Sequence, residues 1–127
     1  MNYMLLVYHD ENAPQLTGPN ALKGCEGLAE RLMESGQFVA GGILRSTSCA
    51  TSVRMREGRR MVTDGPFAET HEQLAGFLMV DAKDLDEAIN IASQHPVSSF
   101  GTIEIRPVRE IPELPSHLNA VAEDIKA

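Results

Sequence analysis

His71 lies between Glu69 and Glu72, four residues after the turn-like run Asp64-Gly65-Pro66-Phe67. A carboxylate beside an imidazole holds the ring and raises its pKa, which suits general acid–base work near neutral pH. On a helical turn Glu69 and Glu72 share a face. A Glu/His group of this kind could also bind a metal, although no HExxH or comparable spacing is present. The competing reading is a short polar segment in which Thr70 and Gln73 form a capping box. Asp64 also has two readings. It is a general base at the rim of a pocket, or it opens a tight turn in which Gly65 supplies a positive φ, Pro66 fixes its own, and Phe67 pins the loop to the core. His9-Asp10-Glu11 follows an apolar run and is either a proton shuttle or a polar loop.

Asp64, Glu69, His71 and His9 are thus the catalytic candidates, with Arg54, Phe67 and Glu72 as ligand-binding candidates. Arg54 belongs to a cluster with Arg45, Arg56, Arg59 and Arg60. Guanidinium groups match carboxylate or phosphate, so Arg54 is the candidate anion anchor. The same cluster reads as the wet face of a hairpin, or as a docking site for a partner's acidic tail at Glu123 and Asp124. Cys25 and Cys49 form no CxxC pair and no metal-ligand spacing. Cys25 falls on an apolar helical stripe and reads as core; Cys49 sits in a Ser/Thr-rich loop. A Gly-rich phosphate loop, a GxSxG elbow and a zinc motif are all absent, so neither cofactor nor metal is expected.

Six core elements and a hairpin must position these residues. Asn2 to Tyr8 alternates with apolar residues on both faces, the mark of a central strand. A helix is expected from Pro19, capped by Thr17 or Gly18. Leu22, Cys25, Leu28, Ala29, Leu32 and Met33 recur along it, and Gly36 stops it. Phe38 to Leu44 is a strand with a Gly41-Gly42 kink. Thr51 to Arg56, the turn Glu57-Gly58-Arg59-Arg60 and Met61 to Thr63 make a hairpin, with Val53 and Met55 inward. Ala75 to Asp81 is a second two-faced strand. Asp84 and Glu87 open a second helix with a stripe of Leu85, Ala88, Ile89 and Ala92, ended by Pro96. Thr102 to Val108 is the last core strand. Beyond it, residues 109–127 read as a proline-rich tail in which Ser116 caps a short helix carrying Leu118, Val121 and Ile125.

The order β-α-β-(hairpin)-β-α-β is the α+β, ferredoxin-like, split β-α-β pattern. Two helices cover one face of such a sheet. The apolar outer face then calls for a partner, most simply a second copy of the chain. The 127 residues suffice for one domain, and 43% hydrophobic against 23% charged residues describes a globular chain. A net charge of -7 argues against general nucleic-acid binding. No stretch has membrane-spanning length, and the opening MNYMLLVYHD lacks the marks of a signal peptide, so a cytoplasmic location is expected.

The stretch from Val62 to Phe77, VTDGPFAETHEQLAGF, closely resembles the signature of the DGPF family, a branch of the YCII-related proteins. Tyr3-Met4-Leu5-Leu6-Val7-Tyr8 is similar to that family's opening strand, Asp84-Leu85-Asp86-Glu87-Ala88 to its second helix, and Ile103 to Val108 to its last strand. The resemblance spans about residues 2 to 108 and implies a ferredoxin-like domain, residues 1–108, pairing as a dimeric α/β barrel. Some YCII-like relatives are cofactor-independent enzymes acting on small oxidised aromatic compounds, with a histidine on the first helix and an aspartate after the second. Here Lys23 to Leu28 holds no histidine, and His95 precedes Pro96 where Asp-Pro would stand. The resemblance implies lyase or isomerase-type acid–base chemistry on a small polar or aromatic acid. It leaves open a regulatory module linked to a sigma factor, or a ligand-binding domain without chemistry.

Overall fold

The computed structural model describes residues 1–16 and 23–114, and of Lys23 the backbone alone. The expected start of the first helix at Pro19 and the expected helix capped by Ser116 lie outside the described residues.

Strand β1 spans Asn2–His9, helix α1 Lys23–Glu34 and strand β2 Phe38–Ile43. Strands β3 (Thr51–Arg56) and β4 (Arg59–Asp64) form the hairpin. Strand β5 (Gln73–Asp81), helix α2 (Leu85–Ser93) and strand β6 (Thr102–Pro107) complete the order. The main sheet runs β2-β5-β1-β6 with every neighbouring pair antiparallel. That is the strand order of the split β-α-β fold, with β1 and β5 central.

Alternation along β1 sends Tyr3, Leu5 and Val7 to one face, where all three are buried. Leu78 and Val80 of β5 lie on the same face, and Leu28 and Leu32 of α1 with Ala88, Ile91 and Ala92 of α2 close over it. Leu5, Leu28 and Val80 are fully buried; each contributes roughly 1.5–3 kcal/mol of transfer free energy. On the opposite face Met4 pairs with Met79 and Leu6 with Phe77, all four half-buried.

The cap of α2 and the stop of α1 hold. Asp84 caps α2, its Oδ1 accepting the Glu87 N–H at 2.9 Å. The Glu87 carboxylate accepts from Gln37 Nε2 at 2.7 Å and from the Lys83 N–H at 3.3 Å. Gly36 ends α1 with φ 75°. The buried stripe of α2 differs from expectation: Ile91 is buried, whereas Leu85 and Ile89 are 50% and 44% exposed. The irregularity in β2 falls between Phe38 and Ala40, and Gly41 and Gly42 pair in regular register with Leu78 and Phe77.

The hairpin departs most from expectation. Glu57 and Gly58, with φ 52° and 73°, make the two-residue turn, a left-handed pair that matches strand twist. The ribbon forms its own two-stranded sheet. Val53 and Met55, expected inward, are 61% and 58% exposed. Alternation puts them on one face of the ribbon, but the main sheet does not extend beneath it.

Candidate functional site

The inward row of β1 does not stop at Val7. A two-residue step carries it to His9, which pairs with Gln73. Between Val7 and Tyr8 the β1–β5 register shifts, leaving Ala75 as an extra residue on β5. Such bulges redirect side chains at strand ends. The Glu11 and Asp10 carboxylates are engaged in loop structure. Glu11 accepts from the Thr47 N–H at 2.7 Å, Thr47 Oγ1 at 3.0 Å and Ser46 Oγ at 3.4 Å. These bonds, the Thr47 N–H first, hold its carboxyl below the usual range. Asp10 Oδ1 accepts the Asn12 N–H at 2.8 Å. His9 is the member of the triplet left for chemistry.

Beside His9 lies a cavity of about 310 Å³ between the sheet, α1 and the link after α2. Val7, Leu28, Phe38, Leu78, Val97 and Phe100 supply much of its apolar wall. Among the described residues its ionisable wall groups are His9, Cys25, Glu26 and His95, with no Lys or Arg beside them. Cys25 stands one turn before the buried Leu28 on α1. Its Sγ is 3.8 Å from His95 Nε2. His95 caps the 3₁₀ turn Pro96–Ser99, its Nδ1 accepting the Val97 N–H at 3.1 Å. Phe100, at the end of that turn, places its ring 6.2 Å from the His9 ring. Close approach of backbones makes this convergence geometrically demanding. A Cβ on Gly24 would lie 2.4 Å from Pro96 Cγ, and one on Gly101 2.3 Å from the Tyr8 carbonyl oxygen.

Burial lowers the His95 pKa, and a proton on nearby His9 lowers it further. Burial raises that of Cys25. Both shifts favour a neutral imidazole beside a neutral thiol, the opposite of the thiolate–imidazolium pair of a cysteine nucleophile.

The other expected site residues do not reach this cavity. Asp64 is exposed at the end of β4. The turn after it is structural: Gly65 has φ 101°, its N–H donates to the Ala50 carbonyl at 2.7 Å, and Ser52 Oγ donates to its carbonyl at 2.7 Å. Phe67 is 81% exposed and does not pin the loop to the core. It lies over the ribbon, sharing a shallow depression with Ser52, Arg54 and Arg56. Glu69 and His71 are exposed, and no helix spans them, so Glu69 and Glu72 share no helical face. Thr70 Oγ1 donates to the Glu72 carbonyl and Gln73 Nε2 to the Thr70 carbonyl, a local turn in place of a helix cap. Glu72 Oε1 accepts from Thr102 Oγ1 at 2.8 Å, tying the loop to β6. Among the described residues no three His, Cys, Asp or Glu side chains are grouped to hold a metal, and no helix is long and apolar enough to cross a membrane.

Sequence reasoning misses His95 and Phe100 as site residues and takes Cys25 for core. One signal is available in the chain: His95 stands immediately before Pro96, at the end of a well-capped helix.

The YCII-related domain family matches residues 1–112. The chain belongs to the YCII-related family. An uncharacterized protein of Rhizobium meliloti (strain 1021) is 33% identical over 114 residues, covering 85% of this chain and 92% of its own. Among solved structures, the divalent cation tolerance protein CutA1 from Thermus thermophilus is similar at 15% identity and a TM-score of 0.41, over 97% of each chain.

Proposed function

We propose that this YCII-related protein carries a cofactor-independent small-molecule site doing lyase or isomerase-type acid–base chemistry. The cavity between α1, β5 and the His95–Phe100 link is that site. The observation that carries this reading is an apolar pocket of about 310 Å³ with two imidazoles in its wall. Pockets of this size with a few polar groups suit small ring compounds. The imidazoles supply proton transfer near neutral pH. The working unit is a homodimer in which the outer sheet faces meet as a barrel. The half-buried strip of Met4, Leu6, Phe77 and Met79, left uncovered by either helix, supports that arrangement.

Titration of small ring compounds into the protein, followed by amide NMR, tests the reading. Resonance changes are expected at His9, Ile43 and Phe100, and Ala29→Leu, which fills the cavity wall, should abolish them. Sedimentation of the same samples should give a dimer, and Leu6→Glu a monomer. Changes confined to the β3–β4 ribbon, or a wild-type monomer at micromolar concentration, would refute the site or the dimer respectively.

A further inference from the structure

The two histidines of the cavity are fixed in opposite tautomers by the backbone. His9 Nδ1 lies 3.3 Å from the Asp10 carbonyl oxygen. A carbonyl only accepts, so Nδ1 carries the proton and Nε2 holds the lone pair. His95 Nδ1 accepts the Val97 N–H at 3.1 Å. Nδ1 is therefore unprotonated, and Nε2 of the neutral ring carries the proton. That N–H points to Cys25 Sγ at 3.8 Å, a weak acceptor that an oxygen would displace. One wall thus offers a fixed base and a fixed donor, with no cation among the described lining residues.

We propose that the cavity takes an uncharged, enolisable ring ketone, with His95 Nε2–H bonding its carbonyl oxygen and His9 Nε2 moving the proton on the adjacent carbon. The inference rests on the small-molecule reading above and names its substrate class and its atoms. In the forward step the C–H bond breaks and its proton passes to His9 Nε2. The electron pair left on carbon forms the C=C bond, and the carbonyl π pair moves to oxygen. The developing oxyanion is met by a neutral N–H already aimed at it. The His9 imidazolium then returns the proton, to the same carbon or to a conjugated one, and no electrons enter or leave. A carboxylate ligand fits less well: it would bring a charge into an apolar wall that holds Glu26 and, among the described residues, no guanidinium or ammonium group. His95 cannot serve as base toward Cys25, because its Nε2 has no lone pair while Val97 holds Nδ1.

The probe is 2-tetralone in D2O, with 2-naphthoate as its charged counterpart. Proton NMR should show protein-accelerated loss of the α-proton signal, slowed about 100-fold by His9→Gln and at least 10-fold by His95→Phe. Binding of 2-tetralone should survive in His9→Gln, and 2-naphthoate should bind at least 10-fold more weakly. Because His95→Phe also removes the turn cap, nitrogen-15 NMR of the wild-type imidazoles provides a second readout. It should show His9 protonated at Nδ1 and His95 at Nε2. Tetralone binding without accelerated exchange, exchange untouched by His9→Gln, tighter binding of naphthoate, or the reversed His95 tautomer would each overturn the inference while the binding site stands. If no ring compound binds the cavity, the functional reading itself fails and the inference falls with it.

Discussion

The wall of the cavity and the segment from Asp64 to Glu72 differ in how their reactive side chains are distributed. Asp64, Glu69, His71 and Glu72 stand within one short run, yet Asp64, Glu69 and His71 are exposed, and Glu72 bonds to Thr102. His9, Cys25, His95 and Phe100 come from a strand end, a helix and the link after another helix, and they line one apolar space. Density of reactive side chains in the chain marks a turn built by side-chain-to-backbone bonds. Convergence in space is what produces a low-dielectric site, and of these two regions the cavity has it.

The sharpest way to break that comparison is to push the converging elements apart. Gly24→Val places a Cβ 2.4 Å from Pro96 Cγ, so α1 must withdraw from the link that carries His95. The expected cost is about 1–3 kcal/mol of stability, read by chemical denaturation, with at least a 10-fold loss of ring-compound affinity. Gly27, on the same helix, provides the control. A Cβ there meets only Arg31 Nη1 at 3.4 Å, and Gly27→Ala should be neutral or slightly stabilising. Unchanged ligand affinity in Gly24→Val would show that the close helix approach does not shape the site.

How far each region is legible follows from the same physics. Strict alternation in β1 makes Tyr3, Leu5 and Val7 core residues, and the next step of that alternation brings His9 to the cavity. The Asp84 cap and the Gly36 stop rest on local chemistry, so they too are readable. His95 is only partly so: its place before Pro96 is visible, but its burial depends on α1 approaching Pro96 through Gly24, a contact between residues 72 positions apart in sequence. Val53 and Met55 mislead for the complementary reason. Their pattern encodes a ribbon face, but only tertiary placement decides whether anything lies against it, and here both are exposed.

Titration sharpens the contrast between a cavity group and a loop anchor. The folded state holds the His95 pKa below 6.5 through burial and the neighbouring His9 charge. A depressed histidine contributes stability that is present above the unfolded value and lost as pH falls below it. The folded state also holds Glu11 below 4.5, chiefly through the Thr47 N–H, and its contribution is lost at lower pH in the same sense. Urea denaturation across pH 4 to 8 should therefore show stability falling from about pH 6.5 downward, with a second decline below about 4.5. His95→Asn should remove the upper decline and Glu11→Gln the lower one. An upper decline that persists in His95→Asn would assign it to another group and remove the support for a buried neutral imidazole.

The smallest effects are expected where the sequence is most distinctive. Gly65 has φ 101°, so Gly65→Ala should cost about 1–2 kcal/mol through backbone strain alone. Asp64→Asn, His71→Ala and Phe67→Ala change exposed side chains and should each stay within about 0.5 kcal/mol. None should alter the binding of ring compounds in the cavity. A change in ligand affinity with either Asp64→Asn or His71→Ala would carry a definite structural meaning. Neither residue lines the cavity of its own chain, so the effect would have to cross from a second copy whose loop closes over the mouth. Repeating the titration on the Leu6→Glu monomer separates the cases: a loop acting across the dimer loses its influence there, whereas one acting within its own chain keeps it.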